Sequence, residues 1–237
     1  FDREIYKIAQ EGARNHGLLN VSTEDFFHSM LVFPPLEEQE RITEILTQCD
    51  HVIELKEQKL DELKQLKKEF LRKMFPAKGC DTPEIRFPGF TGAWKQRKLG
   101  DFCVMFNGDR GFNYPNANDM VTEGLPFVNA GDLQNGKVNL SECNKITRKK
   151  YNQLGGAKIQ YGDILYCLRG TLGKNAFIDN FCEGTVASSL VDIRPKDICG
   201  RYLFYVLNSD IELMQRELCN EGAAQPNLSA RNLAGFD

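Results

Sequence analysis

Residues 34–76 read PPLEEQERITEILTQCDHVIELKEQKLDELKQLKKEFLRKMFP, and the reading of this stretch decides the architecture. Between Leu36 and Phe75 there is neither glycine nor proline, and leucine, glutamate, lysine and glutamine, all good helix formers, dominate. Pro34 and Pro35 precede the run and Pro76 stops it, the punctuation expected of a residue that fixes φ and lacks an N–H. At about 1.5 Å per residue such a helix spans roughly 60 Å, longer than most globular helices. Apolar residues recur on it at alternating spacings of four and three. The positions are Ile42, Leu46, Cys49, Ile53, Lys56, Leu60, Leu63, Lys67, Phe70 and Met74, with lysine as the only exception. So narrow a stripe suits one partner helix rather than a broad core, and the lysines and glutamates flanking it are solvated. The competing reading is a long helix lying along its own domain. The heptad favours a coiled coil.

On either side the texture changes. Residues 77–84 form a short linker containing Gly79 and Pro83. From Ile85 to Pro195 the chain breaks into short runs rich in valine, isoleucine, phenylalanine and tyrosine, separated by glycine, asparagine and aspartate turns. Expected strands are Pro126–Val128, Lys158–Gln160, Ile164–Cys167, Asn175–Ile178 and Leu190–Ile193. Gly200 to Cys219 reads as a helix, with Leu203, Val206, Leu207, Ile211, Met214 and Leu218 at helical spacing. The fold class is therefore α/β or α+β with one long helix. The segments are 1–35, the helix at 36–76, the linker at 77–84 and a domain at 85–237.

The two ends of the chain repeat each other. Glu11-Gly12-Ala13 is followed by Asn20-Val21-Ser22 and closed by Phe26; Glu221-Gly222-Ala223 is followed by Asn227-Leu228-Ser229 and closed by Leu233. The closing apolar residue lies at the same offset from the asparagine in both copies. The extra residues before Asn20 are what a loop tolerates.

A net charge of −3 does not suit a protein that coats nucleic acid indiscriminately, so any DNA contact is confined to one face. The eight cysteines are isolated, with no CxxC, which argues against zinc and suits reduced thiols in a cytoplasm. No apolar run is long enough for a membrane span, and Phe1-Asp2-Arg3-Glu4 lacks the layout of a signal peptide. Without an initiator methionine, it reads as other than a biological start. His16, His28 and His51 show no metal-ligand spacing. Gly170-Thr171-Leu172-Gly173-Lys174 imitates a phosphate loop, but Leu168 stands where the first glycine belongs and Asn175 replaces the magnesium-binding hydroxyl. A tight turn between two strands accounts for it better. Glu57-Gln58-Lys59 and Glu62-Leu63-Lys64 imitate a nuclease element, yet lie on the heptad helix as solvated flanks. The sequence offers no catalytic set, no cofactor site and no metal site.

Three features together resemble the specificity subunits of type I restriction–modification enzymes. They are Phe33-Pro34-Pro35-Leu36-Glu37-Glu38-Gln39 leading into the helix, Phe87-Pro88-Gly89-Phe90 with Trp94 and Leu99-Gly100-Asp101, and an ordered series of motifs. That series runs Gly124–Val128, Gly131-Asp132-Leu133, Gly162–Leu165 with Gly170–Lys174, and Gln225-Pro226-Asn227-Leu228-Ser229. The resemblance implies target-recognition domains held apart by two long antiparallel helices. Each domain reads half of a bipartite site in double-stranded DNA, and the helices dock methyltransferase and restriction subunits. On that plan residues 1–35 are the tail of a first recognition domain and 36–76 the first spacer helix. Residues 85–237 are a second recognition domain lacking its final segment and its helix. The chain then reads as a fragment or half-subunit, and a second copy is expected to supply the antiparallel partner through Ile42, Leu46, Ile53, Leu60, Leu63, Phe70 and Met74.

Reading bases takes arginine or lysine for guanine and asparagine or glutamine for adenine. The candidates are Arg110, Asn113 and Tyr114 in the 107–114 loop; Asn129 and Gln134; Arg169, Thr171, Lys174 and Asn175; and Gln225 and Asn227. Lys145, Arg148, Lys149 and Lys150 are expected phosphate contacts or a solvated face. Two other classes compete, a stand-alone DNA-modifying enzyme and a coiled-coil protein with no DNA role.

Overall fold

The computed structural model describes residues 10–11, 19–20, 22–28, 32–220 and 227–237. They divide into two units, Phe1–Lys64 and Gln65–Asp237. In the first, β1 (Gln10–Glu11) pairs antiparallel with β2 (Leu19–Asn20), and α1 (Thr23–Phe27) follows Ser22. Of the repeated motif, Gly12-Ala13, Val21 and Glu221-Gly222-Ala223 lie outside the described residues.

The long helix α2 (Leu36–Lys73) belongs to both units. The Pro35 carbonyl accepts the amides of Glu38 and Gln39 at 3.0 Å, and Gln39 Nε2 donates to the Pro34 carbonyl at 2.8 Å. Glu37 and Glu38 sit in its first turn and Arg72 and Lys73 in its last, matched to the two ends of the helix dipole. Pairs at one-turn spacing run along it: Arg41–Glu37 at 3.0 Å, Lys59–Glu62 at 3.2 Å and Lys64–Asp61 at 2.9 Å. No residue of α2 is buried; Leu46 is 58%, Ile53 55% and Leu60 53% exposed. Met74 lies one residue past the helix, although its amide still bonds the Phe70 carbonyl at 2.8 Å.

The second unit carries two four-stranded sheets. Strand β3 (Cys103–Asn107) pairs with β12 (Leu190–Pro195), β12 with β9 (Ile164–Cys167), and β9 with β10 (Asn175–Phe177), all antiparallel. The other sheet runs β11 (Thr185–Val186), β5 (Leu125–Val128), β8 (Asn144–Ile146), β4 (Met120–Val121), with β11 parallel to β5. A separate hairpin joins β6 (Leu133–Gln134) to β7 (Lys137–Val138). Helices α3 (Arg148–Gln153), α4 (Gly200–Val206), α5 (Asp210–Asn220) and α6 (Ala230–Ala234) complete the unit.

Alternation along β12 explains the layering. Val191 and Ile193 enter a core shared with Tyr166, Leu203, Phe204, Leu228 and Leu233. Leu190, on the opposite face, enters a second core with Leu165, Ala176, Ile178, Val128 and Val186. Tyr166, wholly buried, donates its hydroxyl to Glu212 of α5, which also takes Arg216 Nε at 2.8 Å.

Three expected elements differ. Lys158–Gln160 is no strand: Ile159 makes a single backbone bond to the Gly184 carbonyl at 2.9 Å, and the Gln160 amide turns to Asp163 Oδ2 at 2.7 Å. The aspartate offers this backbone an alternative to a ladder. The expected helix over 200–219 is two helices. The Ser209 hydroxyl bonds the Val206 carbonyl at 2.8 Å and accepts the Ile211 amide at 3.3 Å, closing α4 and starting α5. The strand expected to reach Ile178 ends at Phe177, and Ile178 instead donates to the Asp163 carbonyl.

Candidate nucleic-acid interface

Strand register gathers the candidate loops. Asn107 pairs with Val191, Leu190 with Cys167, and Tyr166 with Asn175. The end of β3, the end of β9, the start of β10 and the start of β12 therefore share one edge of the sheet.

The loop after β3 is fixed at both legs. A Cβ on Gly108 would come within 2.3 Å of the Ala187 carbonyl, and one on Gly156 within 2.4 Å of the Asp109 amide, so only glycine lets these backbones meet. The Ala157 amide bonds the Asn107 carbonyl at 2.9 Å. Asp109 accepts the Gly111 amide at 2.6 Å and the Gly155 amide at 2.8 Å, and these N–H donors hold its carboxyl below the usual range. Past the tip, the Tyr114 ring stands edge-on to Phe127 at 5.7 Å and Pro115 is buried.

Hydrogen bonds tie this loop to its neighbours. Arg110, exposed, donates to the Ser188 carbonyl at 3.2 Å, and the Leu168 amide donates to the Ser189 carbonyl at 2.9 Å. Arg169 forms an antiparallel bridge with Asn227, and the Leu228 amide donates to the Leu168 carbonyl at 3.0 Å. Arg110, Arg169 and Asn227, distant in sequence, so converge. Thr171 and Lys174 belong to the turn between β9 and β10, where Gly170 and Gly173 both take φ of 82°. It is a hairpin turn, as the failed phosphate-loop pattern implied. Arg169 Nε is shielded from water and has no partner among the described residues.

Other candidates are placed differently. Asn175 is buried, and its amide donates to the carbonyls of Gly173 at 2.8 Å and Leu207 at 3.3 Å; its polar group joins the hairpin to α4 instead of reaching outward. Asn129 is half-buried, its side chain bonding the Phe127 carbonyl and its amide bonding Asp132 at 2.7 Å. Asn113 is exposed but donates to the Gln153 carbonyl at 3.2 Å. Gln134 is exposed on the β6–β7 hairpin, whose Gly136 carbonyl accepts the Phe177 amide at 3.0 Å, at the end of β10 away from Asn175. Gln225 lies outside the described residues.

Of the expected phosphate contacts, Arg148 is held by both carboxylate oxygens of Glu183 and Lys150 pairs with Asp119 at 3.0 Å. Lys149 is exposed and Lys145 half-buried on β8. Sequence reasoning overlooked Phe112, wholly exposed at the tip of the 107–114 loop. A large apolar residue between polar ones in a turn was the available signal.

Strand β12 also buries an acid. Asp192 of β12 is wholly buried, and neither of its carboxyl oxygens has a hydrogen-bond partner among the described residues; the Arg194 guanidinium stands 3.6 Å away. Arg194 is instead committed to Asp163, with Nε at 3.0 Å and Nη2 at 2.9 Å. Burial first, and then the Asp163 charge, push the Asp192 carboxyl up to about 8. Among the described residues no three histidine, cysteine or acidic side chains converge as metal ligands, and no helix is long and apolar enough to cross a membrane.

Comparison with known proteins bears on this geometry. Over 232 residues the chain is 21% identical to the type I restriction enzyme EcoBI specificity subunit of Escherichia coli, covering 90% of this chain and 48% of that protein. A structure from work on complex assembly and conformational transition of the type I R-M system superposes with a TM-score of 0.56 at 21% identity, over 95% of this chain and 53% of that one. The type I S subunit of M. genitalium gives 0.55 at 15% identity, over 99% and 56%. The chain thus spans about half the length of these relatives, and the structural likenesses establish the mixed α/β fold with its long helix. A model of the type I restriction modification DNA specificity domain matches residues 7–65 and 92–236, and this chain therefore belongs to that family.

Proposed function

We propose that the chain is a sequence-reading component of a type I restriction–modification system that binds half of a bipartite site in double-stranded DNA and performs no chemistry itself. The observation that carries this reading is the convergence of Arg110, Arg169, Thr171, Lys174 and Asn227 at one edge of a sheet. These are groups that recognise base edges and phosphates, held on backbone fixed by the sheet. A negative net charge with basic groups at one edge suits local recognition rather than coating. Methylation and cleavage fall to methyltransferase and restriction subunits docked along α2. Residues 85–237 act as one recognition domain, 36–76 as spacer helix, 77–84 as linker and 1–35 as the tail of another such domain. In support of the last, the Phe26 amide bonds the Ser22 carbonyl at 2.9 Å and the Leu233 amide bonds the Ser229 carbonyl at 3.0 Å, the same turn in both copies of the repeat.

The exposed stripe of α2 is paired by a second copy running antiparallel. Charge favours that direction. The first half carries Glu37, Glu38, Glu40, Glu44, Asp50 and Glu54 against Arg41; the second carries Lys56, Lys59, Lys64, Lys67, Lys68, Arg72 and Lys73 against four acids. Antiparallel copies set the acidic half against the basic half, whereas parallel copies oppose like charges.

The test is selection of a duplex from a random-sequence pool, followed by gel shifts at stated salt. Sequence-selective binding, with no methyl transfer or cutting by the purified chain given methyl donor, ATP and magnesium, is the expected result. Methylation by the chain alone, or failure to prefer any sequence, overturns the reading.

A further inference from the structure

We propose that Phe112 is a wedge that enters the DNA stack between neighbouring base pairs when the chain binds its site. The inference rests on the DNA-reading function above and adds a deformation step to it. Phe112 is 103% exposed, with no contact to the rest of the unit that removes it from water. Its loop is not a loose one. Gly108 is pressed against Ala187 and Gly156 against Asp109, and the Asp109 carboxylate clasps the amides of Gly111 and Gly155. On the far side the Tyr114 amide closes a turn onto the Gly111 carbonyl at 3.0 Å, and the Tyr114 ring is anchored on Phe127. The ring of Phe112 is thus projected from the crest of a turn pinned on both sides, beside Arg110 and at the edge shared with Arg169 and Asn227.

A rigidly presented aromatic ring surrounded by hydrogen-bonding and cationic groups matches how proteins deform duplexes. Charged and polar groups hold the backbone while an apolar side chain partly unstacks one base step, and the ring regains by stacking what it lacks in water. Because the legs are fixed before binding, little ordering entropy opposes insertion. The step so opened is read by its deformability, which adds sequence preference at a position that no hydrogen bond needs to touch.

The experiment uses the whole chain and a duplex selected from the random pool, with 2-aminopurine placed in turn at each adenine of the bound half-site. Wild-type protein should raise the fluorescence at one step, reporting unstacking. Phe112→Ala should remove that rise and weaken binding about tenfold, the loss of one stacking contact. Phe112→Trp should restore both, and circular dichroism should be unchanged in each variant because the side chain touches nothing in the fold. Silent 2-aminopurine at every position with binding intact, or a rise that survives in Phe112→Ala, overturns the wedge while leaving DNA reading in place. Failure of the wild type to prefer any duplex overturns both.

Discussion

The long helix and the β12 strand invest apolar side chains in opposite ways. Leu46, Ile53, Leu60 and Leu63 of α2 are each about half exposed, although α2 obeys a regular heptad. Leu190, Val191 and Ile193 of β12 are wholly buried, one face to each of two cores. The difference lies in who supplies the other side. A strand in mid-sheet finds its cover within the same unit, whereas a narrow heptad stripe presents a surface that another helix must complete. The second region sets the stability of its unit; under the pairing proposed above, the first sets the association of the chain.

The comparison breaks most sharply in the core. Ile193→Ala should destabilise the second unit by about 2–5 kcal/mol, read by urea denaturation, since no space beside it can collapse without moving β9 or β3. The paired change Leu46→Ala with Leu63→Ala should leave that transition nearly where it is while abolishing dimers in sedimentation equilibrium at micromolar concentration. Monomeric wild type under those conditions would refute pairing through α2.

Asp192 sharpens the contrast within β12 itself. Its pKa rises from 3.8 in the unfolded chain to about 8 in the folded one. The stability it contributes as a neutral acid is fully present below the lower value and is lost as pH rises through the higher. Between about pH 5 and 7.5, wild-type stability should therefore fall by on the order of 1 kcal/mol per pH unit relative to Asp192→Asn. Parallel pH profiles for the two proteins would show that the carboxyl is not neutral in the fold.

Smaller effects belong to the edge. Arg169→Ala should weaken binding by roughly 1–3 kcal/mol at one base position and relax specificity there, measured by repeating the selection. Uniform weakening over all sequences would make Arg169 a phosphate contact. Arg148→Ala, which removes an exposed ion pair with Glu183, should change stability by no more than about 1 kcal/mol.

How much of this was legible follows from the range of the forces involved. The long helix, its start and its heptad were readable because propensity, proline punctuation and periodicity act within a few turns, although the helix stops at Lys73, short of Pro76. Strands β9, β10 and β12 were readable for the same reason. The break at Ser209 was harder, because Leu203, Val206, Leu207, Ile211, Met214 and Leu218 keep a helical spacing straight across it. Among the candidate residues, Asn175 and Arg169 looked alike as polar residues of one turn. Only the fold separates them, turning the Asn175 amide inward to Leu207 and setting Arg169 beside Asn227.

By itself the sequence determined the long helix, the strands β9, β10 and β12, the heptad stripe and the family motifs, since each is written in residues close together along the chain. The tertiary structure alone decided that Arg110, Arg169 and Asn227 share an edge, that Phe112 stands free at its crest, and that Asp192 is buried without a hydrogen-bond partner among the described residues. These depend on strand register and on which neighbour takes Arg194, and such choices are made between residues far apart in sequence, where no local pattern records them.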